Sequence, residues 1–217
     1  MRKRMLTGVF IFLIPVLALL PSRQANDQKF EGSLQVIKIS LYDTTFLIYK
    51  IKDESIKIEE YDNNANHLRT YLVNLKDGKV YAIDPVNKLY KPLQLKPFIP
   101  IKNQKFEVIK SENFMYLNGY KCNQWRIKNK EDNTEIAYWV TKDDFGFYTK
   151  LLEVLNSFEK TYNYFLYIPD NQGYIPMMTV ERTLVRDEKL KVEIQHIERE
   201  FLDSVHFKIP DNYRLYN

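Results

Sequence analysis

Short runs of alternating apolar and polar residues, separated by turn residues, fill most of this sequence from Phe30 onward. In "SIKIEEY", for example, Ile56 and Ile58 lie on one side of an extended chain and charged residues lie on the other. A period of two is typical of a β-strand with one buried face. We therefore expect a mainly β protein.

The turns between these runs indicate antiparallel pairing. Asp77-Gly78 separates "TYLVNL" from "KVYAID", and Asp-Gly between two alternating runs is a strong hairpin signal. Other polar turns follow at similar short intervals, which is the pattern of an antiparallel meander. The proline-containing segment 91–104 interrupts the pattern. Because proline removes backbone donors, we expect this segment to be a loop that crosses the sheet or lies along its mouth.

Beyond this loop the pattern predicts more strands and one amphipathic helix. The strands are expected at 106–110, 120–128, 134–141, 161–168, 177–186 and 190–199. The helix is expected where apolar residues have helical spacing, at Phe147, Leu151, Val154, Leu155 and Phe158. Asp143 or Asp144 is expected to accept the unpaired amide donors of its first turn.

The N-terminus has the pattern of a secretory signal. Arg2, Lys3 and Arg4 precede the apolar run "MLTGVFIFLIPVLALL", which is shorter than the roughly 20 residues of a membrane-spanning helix. We expect residues 1–25 to be a signal peptide or, alternatively, an uncleaved anchor. The 217 residues suffice for a single core, so residues 26–217 are expected to form one domain. The protein is thus predicted to be exported, to the periplasm or the cell envelope.

The charge of the exported chain argues against a nucleic-acid partner. Removal of residues 1–22 takes three cations from a net charge of +4 and leaves +1. Proteins that bind nucleic acid carry a strong basic patch, and a near-neutral net charge does not predict such a patch.

Cys122, in "NGYKCNQW", is the only cysteine of the sequence. It has no intrachain partner, and free cysteines are among the most buried side chains. We interpret Cys122 as a core residue, with an intermolecular disulfide and catalysis as the alternatives. Because Cys122 and Trp125 differ in strand phase, a β-bulge near Asn123 and Gln124 is predicted to turn both inward.

The sequence contains no motif typical of an enzyme or a metal site. His67, His196 and His206 are far apart, and there is no Gly-x-Ser-x-Gly, Ser-x-x-Lys or glycine-rich phosphate loop. Adjacent carboxylates fall on turns or solvent faces. We therefore expect no catalysis, no cofactor and no metal.

Aromatic residues are abundant, with 16 tyrosines and 13 phenylalanines. They could line an apolar concavity for an acyl chain or a lipidated peptide, together with adaptable methionines. They could equally be the ordinary aromatic core of a large sheet. The residues alone leave both interpretations open.

Five segments carry a resemblance to a known family. They are "NGYKCNQWRI", "TEIAYWVTKD", the apolar helix, "YIPMMTVER" and the closing "FKIPDNY". The residues that match in type and order are Gly119, Cys122, Trp139, Pro176, Phe207, Pro210 and Tyr213. Together these segments resemble an exported domain of unknown function that is related to the LolA-like outer-membrane lipoprotein carriers. The resemblance covers residues 30–213.

The resemblance implies a strongly curved antiparallel sheet, a half-barrel wrapped around one or more helices, with an apolar cavity between sheet and helix. It implies a binding protein for an acyl chain, a lipid or a lipoprotein. The alternative hypothesis is a structural or interaction module with a filled core that binds an envelope protein. The residues expected to line the cavity are Trp139, Tyr138, Leu151, Leu155, Phe158, Met177 and Met178. Carriers of this type hold a lid shut with an arginine near their first strands, and Arg69 is the only arginine between residues 26 and 125.

Overall fold

The computed structural model describes residues 29–100 and 105–216, and within them twelve strands form one sheet that packs on two short helices. The strands are β1 Gly32–Ser40, β2 Thr44–Lys52, β3 Ser55–Tyr61, β4 His67–Asn74, β5 Lys79–Asp84, β6 Leu89–Leu93, β7 Glu107–Leu117, β8 Tyr120–Asn129, β9 Thr134–Lys142, β10 Tyr174–Arg182, β11 Glu188–Arg199 and β12 Arg214–Leu215. The helices are α1 Phe147–Leu155 and α2 Lys160–Leu166, and a single 3-10 turn covers Ser204–Phe207. In this part of the chain, no helix has the length and apolar character needed to cross a membrane. The expected signal segment 1–25 lies outside the described residues.

The strands lie in the order β12-β6-β5-β4-β3-β2-β1-β11-β10-β9-β8-β7. Neighbours pair antiparallel, except that β12 runs parallel to β6. Over the described residues the curved sheet is not closed, and β12 and β7 are its edges. The predicted mainly β class and half-barrel are therefore confirmed. The hairpin at Asp77-Gly78 is confirmed as well, and it joins β4 to β5 with Gly78 at φ +66°, a region that favours glycine.

Two clusters of buried side chains hold the helices against the sheet. Leu151 and Leu155 of α1 belong to the larger cluster, with residues of β1 to β5. The neighbouring Leu152 belongs to the smaller cluster, with residues of β8, β9 and α2. Helix α1 thus buries side chains on two sides, which places it inside the curve of the sheet.

The strand predicted over residues 161–168 is wrong, because most of these residues form α2. Threonine and aromatic residues favour strands, but such preferences are weak beside tertiary packing. A helix places Thr161, Tyr164 and Phe165 on one face, and all three are buried. Tyr164 and Phe165 then complete the smaller core cluster against β8 and β9.

The segment 91–104 is a loop over only part of its length. Its first three residues end strand β6, in which Pro92 lies opposite Tyr81 of β5. The short outer strand β12 pairs only with Leu89 and Tyr90, so Pro92 interrupts no ladder on that side. Residues 94–100 have no regular structure, as expected for the proline-containing part.

The β-bulge predicted in β8 near Asn123 and Gln124 is wrong. The register of β8 with β9 runs without a shift, and the irregularity lies in β7 between Lys110 and Phe114. Cys122 is nevertheless fully buried, as predicted. Both faces of β8 are covered, because Cys122 packs in the larger cluster and Trp125 in the smaller one.

Asp143 and Asp144 do not cap α1, whose N-cap residue Gly146 makes no side-chain hydrogen bond. The guanidinium of Arg199 instead donates from Nη2 to Asp144 Oδ1 over 2.9 Å and to Asp143 Oδ2 over 3.4 Å. This contact joins the end of β11 to the segment before α1. Sequence spacing could not predict it, since the partners are far apart along the chain.

Candidate functional site

The space between the helices and the sheet is almost filled with side chains. The cavity that remains has a volume of about 40 Å³. It is lined by residues of α1, α2 and the inner face of the sheet, among them Tyr138, Tyr148, Leu151, Leu155 and Thr161. A buried water needs roughly 10–15 Å³ of such volume, so this cavity has room for a few waters at most and none for an acyl chain.

A larger depression lies beside this cavity and opens on the inner side of the sheet. We call it the concave groove, and its volume is about 300 Å³. The residues that define it are Lys38, Leu47, Tyr49, Ile58, Glu60, Arg69, Tyr71, Leu93, Leu155, Phe158, Glu159 and Tyr162. This volume is at the lower end of the roughly 300–1,000 Å³ that is usual for small-molecule sites.

The apolar floor of the groove follows from the register of three neighbouring strands. Tyr49 of β2 lies opposite Ile58 of β3, and Ile58 lies opposite Tyr71 of β4. Residues opposite each other in a sheet share a face, so these three side chains form a row across the concave surface. Phe158, in the connection between the two helices, contacts Tyr71 with ring centroids 5.3 Å apart and forms part of the opposite wall.

Two tyrosines separate the groove from the buried cavity. Tyr49, Leu155 and Tyr162 line both spaces, and the hydroxyls of Tyr49 and Tyr162 are 3.3 Å apart. Burial raises the pKa of Tyr49 to about 12 and raises that of Tyr162 well above its ordinary value. Both hydroxyls therefore stay neutral at physiological pH and act as hydrogen-bonding groups.

Charged pairs border the groove. Lys38 of β1 forms an ion pair with Glu159, the residue that precedes α2, and so links the sheet to the helical side. Arg69 faces Glu60 of β3, with Nε 4.0 Å from Oε2. Lys38 thus links the helical wall to the sheet, whereas Arg69, the only arginine between residues 26 and 125, pairs within the sheet. Partly exposed pairs of this kind contribute little stability, roughly 0–1 kcal/mol each.

The predicted pocket residues occupy different places. Tyr138, Leu151 and Leu155 line the small cavity, and Leu155 and Phe158 line the concave groove. Met177 is fully buried in the larger core cluster.

The remaining two predicted residues, Trp139 and Met178, are half-buried, lie opposite each other in the register of β9 and β10, and line neither space. Since neighbouring residues of a strand point to opposite faces, Trp139 cannot share the face of Tyr138.

The groove residues of the first strands were not singled out from the sequence. The alternation that predicted β2 to β4 also indicates that Leu47, Tyr49, Ile58 and Tyr71 share one face. That pattern does not say which inward-facing residues a helix covers. The groove exists where α1 and α2 leave the inner face of β2 to β4 partly uncovered.

Within the described residues, no group of three or more His, Cys, Asp or Glu side chains is arranged to hold a metal ion. The groove contains two carboxylates, and each of them is paired with a cation. Cys122 lies in the core and lines neither the cavity nor the groove.

We expect Cys122 to react slowly in the native protein. Burial raises its pKa to about 11, so on the order of a thousandth of the thiol is ionised at about pH 8, and the thiolate form increases only as the pH approaches 11. Reaction with a chromogenic disulfide reagent should be at least ~100-fold slower in native protein than in urea-unfolded protein. Equal rates would identify Cys122 as an accessible, activated thiol.

A family model described as "Domain of unknown function (DUF4412)" matches residues 30–213. No curated protein matches the chain. An uncharacterized conserved protein from Thermus thermophilus has a similar fold, with a TM-score of 0.54, 6% identity and coverage of 88% of this chain and 91% of that chain.

Two other solved structures are more distant. The Pseudomonas aeruginosa MucA/MucB complex gives a TM-score of 0.47, with 6% identity and coverage of 88% of this chain and 59% of that chain. A domain from Vibrio parahaemolyticus assigned to outer membrane lipoprotein sorting gives a TM-score of 0.24, with 9% identity and coverage of 81% and 87%. Likeness at this level says nothing about function.

Proposed function

The chain belongs to this family of domains of unknown function, and on that premise we propose that it is an exported binding protein that holds an acyl chain in the concave groove. The chain would belong to a lipid or to a lipidated protein. The proposal includes the periplasm or the cell envelope as the location and 26–217 as the exported domain.

The observation that carries the proposal is the composition of the groove. Its floor and walls are apolar and aromatic, and charged residues stand at its border. Burial of a methylene group contributes roughly 0.8 kcal/mol, so a chain of several methylenes in this groove would bind measurably. The basic residues and apolar run at the N-terminus support export, and the resemblance of the motifs to LolA-like carriers supports a carrier function.

The groove, rather than the space between helix and sheet that the resemblance implies, is the proposed site. The cavity of about 40 Å³ is too small for the ligand as it stands. A longer chain could enter it only if the contact between Tyr49 and Tyr162 opened, because these residues separate the two spaces. The proposed ligand therefore lies against β2 to β4 and extends toward the Tyr49–Tyr162 pair.

Filling the groove should weaken binding of the acyl chain. Leu47→Trp places a large ring in the groove, and we expect the affinity for a fluorescent fatty acid to fall at least tenfold, a loss of about 1.4 kcal/mol. The matched control is Ile48→Trp, because Ile48 is the next residue of β2 and points to the opposite face. Saturable binding by wild type and the control, with loss in Leu47→Trp, supports the proposal. Non-saturable binding by wild type, or equal losses in both variants, contradicts it.

One observation favours a second candidate, an interaction module of the envelope with a filled core. Because the interior is nearly solid, the fold can serve as a rigid scaffold that uses its outer face or an edge strand. Native mass spectrometry of the purified protein separates the two candidates. A lipid adduct that is lost in Leu47→Trp supports the carrier, whereas lipid-free protein that also fails to bind fatty acid leaves the scaffold.

A further inference from the structure

We propose that two neighbouring hairpin tips dock this protein on the surface of a lipid bilayer. The first tip, between β1 and β2, carries Leu41 and Tyr42, and the second, between β10 and β11, carries Leu184 and Val185. We call these four residues the apolar tips. This inference goes beyond the proposed function and does not depend on whether the groove holds a ligand.

The four side chains of the apolar tips are exposed to solvent. The exposed fractions are 67% for Leu41, 96% for Tyr42, 39% for Leu184 and 77% for Val185. Single exposed apolar residues are normal, but a group of them marks an interaction surface. Leu41, Tyr42 and Val185 contribute little to the core, so the folded chain alone does not require them to be apolar.

The two tips lie side by side. Strands β1 and β11 are neighbours, and Ser40 at the end of β1 lies opposite Leu190 near the start of β11. Both hairpins therefore turn at the same end of the sheet, two strand spacings or roughly 10 Å apart. The second tip is braced from the other side, because the backbone N–H of Leu184 donates to Asn133 Oδ1 over 3.2 Å.

The shape of this end suits a bilayer surface. The side chains project from turns, so they can enter the interfacial layer of a membrane without a complementary cleft in a partner. Arg186 lies exposed on the second tip and forms no salt bridge within the described part of the chain. Such a cation suits the phosphates of headgroups. Asp43 and Asp187 of the two tips are also exposed and more than offset this single charge, so the apolar side chains carry the interaction.

The open groove lies toward the same end. Lys38, at the border of the groove, is opposite Thr45, next to the first tip. Glu60, also at the border, is the last residue but one of β3 and precedes the turn at that end. A bilayer that contacts the apolar tips would therefore face the charged border of the groove.

The test compares two double variants of the full chain. Tyr42→Ser with Val185→Ser removes one apolar residue from each tip, and Tyr116→Ser with Val205→Ser makes the same chemical changes at positions that are 68% and 61% exposed elsewhere. Binding is measured by co-sedimentation with vesicles of phosphatidylethanolamine and phosphatidylglycerol in equal parts. We expect at least about tenfold weaker binding of the tip variant and wild-type binding of the control. Equal binding of all three proteins, or no binding by wild type, overturns the inference.

A second measurement reports insertion directly. Tyr42→Trp adds a tryptophan at the first tip, and vesicles with brominated acyl chains should quench its fluorescence. Tyr116→Trp adds a tryptophan away from the tips, and the same vesicles should not quench its fluorescence. Absence of quenching at position 42 overturns the inference even if the protein sediments with vesicles. Fatty-acid binding in the groove should be the same in the tip variant and wild type. Either proposal can therefore be contradicted while the other stands.

Discussion

Replacing Gly32 by alanine should lower the free energy of unfolding by roughly 3–5 kcal/mol, combining backbone strain with overpacking. Gly32 begins β1, the strand that joins β2 to β11 in the middle of the sheet. A Cβ at this position would lie 2.0 Å from the backbone oxygen of Glu198, and φ is +151°. A backbone oxygen inside a sheet cannot move aside as a flexible side chain can.

The matched control is Gly119→Ala in the turn between β7 and β8. Gly119 also has a positive φ, +78°, but a Cβ there would meet no atom within 4 Å. The expected loss is therefore only the conformational cost, about 1 kcal/mol. Urea unfolding followed by circular dichroism measures both variants. Similar losses of unfolding free energy in the two variants would show that the backbone at Glu198 moves aside easily, which would contradict our expectation.

Phe165→Ala should destabilise the protein by about 3–5 kcal/mol, the usual cost of removing a buried phenylalanine ring. Phe165 is fully buried on α2, in the segment whose secondary structure the sequence pattern misassigned. Its ring centroid lies 5.1 Å from that of Tyr138, 5.8 Å from Tyr148 and 6.4 Å from Trp125. The ring thus joins both helices to β8 and β9, and its loss leaves a cavity that rigid neighbours cannot close.

Phe114→Ala provides the same chemical change at a site that is 53% exposed on the edge strand β7. Here the expected loss is within about 1 kcal/mol, because little apolar surface is buried and no cavity forms. Thermal unfolding of the two variants gives the comparison. A loss for Phe165→Ala no greater than that of Phe114→Ala would mean that α2 contributes little to the stability of the core.

Part of the candidate site could be predicted from the sequence. Helical spacing identified the face of α1 that contains Leu151 and Leu155, and both line the buried cavity. Phe158 lies at the concave groove, although it is beyond the end of α1. Tyr138 and Trp139 were both expected in one pocket, but consecutive strand residues face opposite ways. The groove residues Tyr49, Ile58 and Tyr71 were missed because their exposure depends on where the helices stop.

The sequence by itself determined the mainly β class, most strand positions, the Asp77-Gly78 hairpin and the burial of Cys122. These features depend on side-chain period and turn chemistry, which act between residues that are close along the chain. Only the tertiary structure decided that residues 160–166 form a helix, that Arg199 binds Asp143 and Asp144, and that the interior is nearly filled while a groove remains beside it. Each of these features depends on contacts between residues far apart in sequence. The packing energy of such contacts exceeds the local conformational preference of the residues, and the contacts produce no periodic pattern in the sequence.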